Sequence, residues 1–412
     1  MDNTTINAQQ QISSNINPKD WSWRFWALVP LYPYSRRRTI RTEVVKDTIW
    51  TFDQTQGIIY VVVPIRMTVV KLAEGGLLVY APVAPTPECI RLVKELVAEH
   101  GDVKYIILPT VSGLEHKVFV VPFARYFLNS QIFIVPKQWS FPLNLPLSWL
   151  GFPRKRTNIL PADSSKVPFA DEFDYAVLDI DLGGRPFGEV AFFHKRSHTL
   201  LVTDAVVSIP EEPPEIVQLD PYPLLFHAKD NAFDIIEDTQ ENRRKGWQRI
   251  SLFAFYFRPR VLETIPLGKA FLDAFKVSER SKQAYFGLYP FKWKDNWKQS
   301  FEALRGGGRL FVAPILQTLI LNRAPKETIQ WADRVASWNF QRIIPCHFDS
   351  PIKANSQQFR QAFSFLEKQH FLINSSFNSV SNTLPEEDFE LLREIEEKLN
   401  KSGIIQPRKE KV

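Results

Sequence analysis

The chain has 412 residues, 44% of them hydrophobic and 23% charged. Those proportions exclude a disordered or fibrous chain; they leave one large domain with insertions, or two domains, able to bury a core without disulfides. The formal charge of +6 is mild for this length, so no nucleic-acid partner is expected, and the two isolated cysteines, Cys89 and Cys346, fit a reducing compartment.

Residues 1–19 are polar, rich in Asn, Gln and Ser, and read as a disordered tail without the apolar core of a signal peptide. Residues 20–47 form an arm in which six Lys/Arg and one acid stand between Trp21 and Lys46. Aromatic side chains followed by basic ones suit peripheral membrane contact through residues 21–46; the plainer alternative is an arm packed on the domain. From Thr48 the sequence turns strand-like in IWTFDQ, GIIYVVVPIRMTVVKL and GGLLVYAPV. TPECIRLVKELVAEHG then predicts a helix, capped by Thr86, begun by Pro87 and stopped by Gly101, with Ile90, Val93, Leu96 and Val97 at helical spacing.

VKYIILPT is a short buried strand that leads into the loop holding His116, and residues 118–128 read as a helix. QIFIVP is a strand, and WSFPLNLPLSWLGFPRKR (139–156) is a proline-stiffened aromatic segment expected to cover the domain or wall a pocket. FDYAVLDIDL, EVAFFH and TLLVTDAVV return to strands, completing a first half over 48–210. Residues 211–305 read as a mainly helical insertion introduced by EEPPE. The second half spans 306–375: GGG at 306–308 stops a helix before the strand RLFVAP, a helix covers 325–340, and RIIPCHFD is a strand ending in a loop. SQQFRQAFSFLEKQ is a further helix, and 384–402 is an amphipathic C-terminal helix with Phe389, Leu392, Ile395 and Leu399 on one side. No apolar run approaches the roughly 18 residues that span a bilayer, so a cytoplasmic or membrane-associated location is expected.

Four strand-ending segments each carry a candidate ligand: SGLEHK (Glu115, His116), AFFHKRSH (His194, His198), LLVTDAV (Asp204) and IIPCHFD (His347, Asp349). Imidazole and carboxylate together suit Zn²⁺, Fe or Mn. The order and wording of ILPTVSGLEHK, HTLLVTDAVV and RIIPCHFD resemble the metallo-β-lactamase superfamily. They look closest to a divergent branch in cyanobacteria and plastids described as a domain of unknown function. The resemblance covers roughly residues 60–209 and 308–350 and implies an αββα four-layer α/β sandwich.

Carried over by position, Thr110 matches the Thr of the family's THxHxDH motif, Val111 and Gly113 replace its first two His, Glu115 its Asp, and His116 keeps its last His. Arg185 or Pro186 stands where the third imidazole of the first metal position belongs. Asp204 matches the bridging Asp, and His347 the terminal His. The resemblance therefore implies one metal position without side-chain ligands and a second with Glu115, His116, Asp204 and His347, suited to one Zn or Fe ion. The alternative is a metal-free vestige in which Glu115 and His116 hydrogen-bond each other or nearby backbone.

Outside this set, His194 and His198 read as a solvated turn, His227 as a helix-surface residue, and Cys89 and Cys346 as small packed residues. The basic-aromatic stretch 243–300 lacks the dense positive face of a nucleic-acid binder. The functional expectation is a degenerate protein of this fold that binds an unknown small molecule or protein, with a mononuclear metal-dependent hydrolase of esters, thioesters or amides as the alternative.

Overall fold

The computed structural model describes residues 17–28, 30–111, 115–140, 144–367, 384–403 and 407. Most of the expected disordered tail, and Gly113, lie outside them.

Seven strands form one sheet in chain order: β1 (Ile40–Val45), β2 (Ile49–Ile58), β3 (Val61–Lys71), β4 (Leu77–Tyr80), β5 (Val103–Leu108), β6 (Gln131–Ile134) and β7 (Thr157–Ile159). Pairing is antiparallel from β1 to β4 and parallel from β4 to β7. A second sheet runs β13-β10-β9-β8, built from β8 (Phe173–Asp181), β9 (Pro186–His194), β10 (Thr199–Val202) and β13 (Arg342–Pro345). The strands β11 (Leu262–Thr264) and β12 (Phe291–Trp293) form a separate hairpin inside the insertion.

Side-chain alternation decides the layering. In β4, Leu77 and Val79 enter a core under the first two helices, whereas Leu78 and Tyr80 enter the core between the sheets. Phe193 of β9, Leu200 and Val202 of β10 and Ile343 of β13 face the outer helices; Phe192, Leu201 and Ile344 face inward. Each such side chain contributes about 1.5–3 kcal/mol on full burial. The result is α1 (Pro87–His100) and α2 (His116–Ala124) on one side, two sheets, and helices of the second half on the other: an αββα sandwich.

Helix α1 starts and ends as its sequence dictates. The Thr86 side chain accepts from the Cys89 N–H at 3.2 Å, and Gly101 takes φ +95° at the end. Within the insertion, α3 (Glu215–Gln218), α4 (Tyr222–Ala228), α5 (Gln240–Tyr256), α6 (Leu267–Ala274) and α7 (Trp297–Arg305) surround an aromatic core shared with Tyr32 of the arm and Tyr60 and Val62 of the β2–β3 hairpin. Gly306 ends α7 in the left-handed conformation, as its place in GGG predicts. The chain continues through α8 (Pro314–Leu319), α9 (Pro325–Ala336), α10 (Ser356–Gln361) and α11 (Glu390–Ser402).

The arm packs on the domain, the plainer of its two readings: Trp23 and Tyr32 are buried. Three local expectations are corrected. Strand structure begins before Thr48, with residues 40–45 supplying edge strand β1. RLFVAP contributes only a single bridge, Phe311 to Val207, because the chain turns into α8 at Pro314. In the C-terminal segment, 386–389 form a 3₁₀ turn and the α-helix begins at Glu390.

Candidate metal centre

The C-terminal ends of β5, β10 and β13 lie on one rim. Parallel pairing sets Val202 opposite Pro345, so the residues that follow, Asp204 and His347, emerge side by side. After β5 the chain crosses to the other sheet. Val111 N–H donates to the Gly188 carbonyl at 3.0 Å, and Val190 N–H to that of Pro109 at 2.9 Å. This crossing closes the sandwich and delivers Glu115 and His116 to the same rim. Arg66 on β3 fixes the opposite side. Its guanidinium donates to the carbonyls of Pro345 at 2.7 Å and Phe348 at 3.1 Å, gripping the backbone around His347, and pairs with Asp53 at 2.7 Å.

Ligand atoms of Glu115, His116 and His347 all lie within 4.8 Å of one another. His347 Nε2 is 3.0 Å from Glu115 Oε2 and 3.3 Å from Asp204 Oδ1, so Asp204 joins the group through His347. Both imidazoles are anchored from behind. His347 Nδ1 is 2.8 Å from the Pro64 carbonyl, and His116 Nδ1 is 3.1 Å from that of Pro82. A carbonyl only accepts, so each Nδ1 carries the proton that bonds it, and Nε2 is the atom offered to the rim. His116 Nε2 is buried and has no hydrogen-bond partner. Of the two bonds expected in a metal-free vestige, His116 makes the one to nearby backbone, at Pro82, while Glu115 pairs with His347.

Burial pushes His116 down to about 4, with the Glu115 charge offsetting only part of the effect, so its imidazole is neutral near pH 7. Burial alone would raise Glu115, but the charge and hydrogen bond of His347 outweigh it and hold the carboxylate below its usual range. His347 is raised for the reciprocal reason: the Glu115 and Asp204 carboxylates overcome the cost of burial. Asp204 is raised by burial, which His347 opposes and Glu115 reinforces. Glu115 and Asp204 keep 38% side-chain exposure, and that solvent softens these shifts without reversing them.

A residue passed over in the sequence completes the group. Glu189 of β9 is 1% exposed and accepts from the Thr203 N–H at 2.7 Å and the Asp204 N–H at 3.1 Å. An acid inside the apolar run GEVAFFH was the available signal. Burial and the neighbouring Asp204 raise it to about 7. Behind Glu115, the buried Arg37 donates to Gln56 at 3.4 Å, and the Gln56 side chain bonds Glu115.

Val111, where the resemblance would have a histidine, is an apolar core residue. It is buried in the core between the sheets, its Cγ2 pressed against Gly188 so closely that a Cβ there would meet it at 2.3 Å. His194 lies at the far end of β9, fully buried against Phe173 and bonded to Ser197 Oγ at 2.7 Å; the solvated-turn reading is corrected for it, because the turn folds back over the ring. His198 sits in that turn, near the Asn339 carbonyl. His227 is fully buried, not at a helix surface, and meets the Ile59 carbonyl at 3.3 Å, because the insertion packs onto the β2–β3 hairpin. Asp349 stands outside the mutually close group and beside Arg66, whose charge opposes the upward effect of burial on it. Cys346 and Cys89 are buried free thiols. In 139–156, Phe152 is buried in the core under α1 and α2, with Leu147 and Leu150 packed against that core, which fits a cover.

Two stacked sheets between helical layers, with an acid–imidazole group on the rim where strands end, define a metallo-β-lactamase-like α/β sandwich. The chain belongs to the family described as "Domain of unknown function (DUF4336)", matched over residues 46–365. It is similar to the solved structure of DIM-1 metallo-β-lactamase exposed to ceftazidime, with 11% identity, 79% of this chain and 97% of that one covered, and a TM-score of 0.37. A metal-soaked Flv1 flavodiiron core from Synechocystis sp. PCC6803 shares 10% identity over 80% of this chain and 60% of that one, with a TM-score of 0.39. The flavodiiron protein from Giardia intestinalis shares 8% over 80% and 59%, with a TM-score of 0.38. No curated protein matches the sequence.

Proposed function

We propose that this chain is a degenerate metallo-β-lactamase-like protein whose rim holds a single zinc or iron ion and binds a ligand or an assembly partner rather than running two-metal hydrolysis. The observation that carries the reading is the orphaned, buried Nε2 of His116, aimed at the place where Glu115 and His347 meet. A neutral imidazole with its back nitrogen tied to a carbonyl is a preorganised ligand, and two nearby carboxylates supply compensating charge. Val111, which stands where the resemblance would have a histidine, is packed in the core and supports a single ion over two.

When bound, such an ion supplies Lewis acidity to a ligand carbonyl or water. The chain's own residues do the rest. Glu115 and Asp204 present exposed carboxylate edges to an incoming group, and Glu189 fixes the backbone at Asp204 through two N–H groups. That exposure also supports the second reading, a mononuclear hydrolase of esters, thioesters or amides.

Equilibrium dialysis of chelator-treated full-length protein against Zn²⁺ tests the site. One equivalent bound is expected, and no binding above background overturns the reading. Ester turnover by the zinc-loaded protein, abolished in Glu115→Gln, would select the hydrolase over the binding protein.

A further inference from the structure

Amphipathic helix α6 leaves its apolar face uncovered. Ala270 and Ala274 are buried, whereas Leu267 and Phe275 are 70% and 72% exposed, and Phe271 and Leu272 stand out with them. Spacings of four residues put Leu267, Phe271 and Phe275 in one stripe. The stripe continues past the helix. Gly287, at φ +87°, backs so closely onto it that a Cβ would lie 3.0 Å from the Ala274 carbonyl, and this holds Phe286, 63% exposed, beside the helix end.

From there the apolar surface reaches the arm. Tyr285 hydrogen-bonds Tyr34, which packs edge-on to Trp26 at 6.3 Å, and both Tyr34 and Trp26 are exposed. Tyr60 meets Tyr285 at 5.0 Å and anchors the β2–β3 turn, whose tip exposes Ile58 and Ile59. Two segments remote in sequence thus share one exposed apolar surface.

The charge around it is mainly positive. Lys269, Lys276, Arg280 and Lys282 are exposed on the α6 segment, with Arg24 and Arg36 on the arm, against Glu279, Asp220 and the half-buried Asp273. Lysine is depleted in protein–protein interfaces, whereas Leu and Phe flanked by lysine are the composition of a helix lying in a membrane interface. We propose that this surface docks on an anionic lipid layer, with the α6 stripe and Phe286 entering the headgroup boundary and the lysines meeting phosphates. The proposal places the main contact on the insertion, with the arm as its margin, and is independent of the cation site.

The test is sedimentation of the full-length chain with vesicles of equal parts phosphatidylcholine and phosphatidylglycerol. Binding is expected there, weaker to pure phosphatidylcholine and weaker in high salt. The Phe271→Ser/Phe275→Ser variant changes two exposed residues, so its circular dichroism should match the wild type while partitioning falls about tenfold or more. Lys269→Glu/Lys276→Glu should erase the preference for anionic lipid. Failure of the wild-type chain to sediment, or wild-type behaviour of the Phe double variant, overturns the proposal. So does a self-associating chain that ignores vesicles and is made monomeric by that variant, which would assign the surface to a second copy.

Discussion

His116, which opens α2, and His347, in the loop after β13, are more than two hundred residues apart in sequence, yet their rings stand 6.3 Å apart, each tied through Nδ1 to the carbonyl of a proline residue, Pro82 or Pro64. Those carbonyls belong to segments of the first sheet, so the sheet itself aims both rings. On the proposed single-ion reading, this anchoring limits the ordering cost of binding.

His116→Ala therefore should weaken zinc binding by more than the roughly 10–100-fold that loss of an outer partner costs. The linked readout is thermal: zinc at a hundred times its dissociation constant should stabilise the wild type by about 2.7 kcal/mol and the variant scarcely at all. Equal zinc-induced shifts in the melting temperature of both proteins would refute this.

Arg66 and Asp53 form a buried ion pair, with side-chain exposures of 5% and 14%. Arg66→Met strands the Asp53 carboxylate and frees the backbone on both sides of His347. Urea unfolding should show a loss of about 3–5 kcal/mol, and adding Asp53→Asn should recover part of it. An additive double variant would mean that the two residues do not act as a pair.

Glu189 sets a pH dependence. Its folded value is raised from 4.5 to about 7, so the stability it contributes is full below 4.5 and is lost as pH rises through 7. In chelator, the wild type should lose on the order of 2–3 kcal/mol between pH 5 and 8 through this group, by the linkage of about 1.4 kcal/mol per unit. Glu189→Gln starts lower, because one amide oxygen cannot serve both N–H donors, but its profile over that range should be flatter. Urea unfolding at the two pH values measures the slope, and an unchanged slope would count against the assignment.

The strands and α1 were legible, because β-rich runs split by Gly and Pro and the Thr86, Pro87 and Gly101 signals are local; the sandwich they build was implied by the family resemblance. Asp204 and His347 were legible from their strand-ending motifs. The rest depended on distant chain. Glu189 reads as an ordinary strand acid until β9 pairs with β10 and sets it behind Asp204. His227 reads as surface until the insertion folds onto the β2–β3 hairpin. Strand β1 was hidden in a basic arm because its burial comes from its neighbours and not from alternation.

Gly246 tests the insertion. A Cβ there would sit 1.8 Å from the Leu224 carbonyl, so α4 and α5 touch backbone to backbone. Gly246→Ala should cost about 1–3 kcal/mol through displacement of α4, although alanine favours an isolated helix. A raised melting temperature would show that the helices separate freely.

The parallel pairing of β10 with β13 carries a consequence for biogenesis. During synthesis β10 emerges with one edge bare and waits for the whole insertion and α9 to be made before its neighbour exists. Closure over so long a stretch is slow, and an uncovered strand edge is prone to pair wrongly. The aromatic core of the insertion also takes in Tyr60 and Val62 of the β2–β3 hairpin, which is made earlier, so the insertion can condense onto the first half and draw the late strand toward its place.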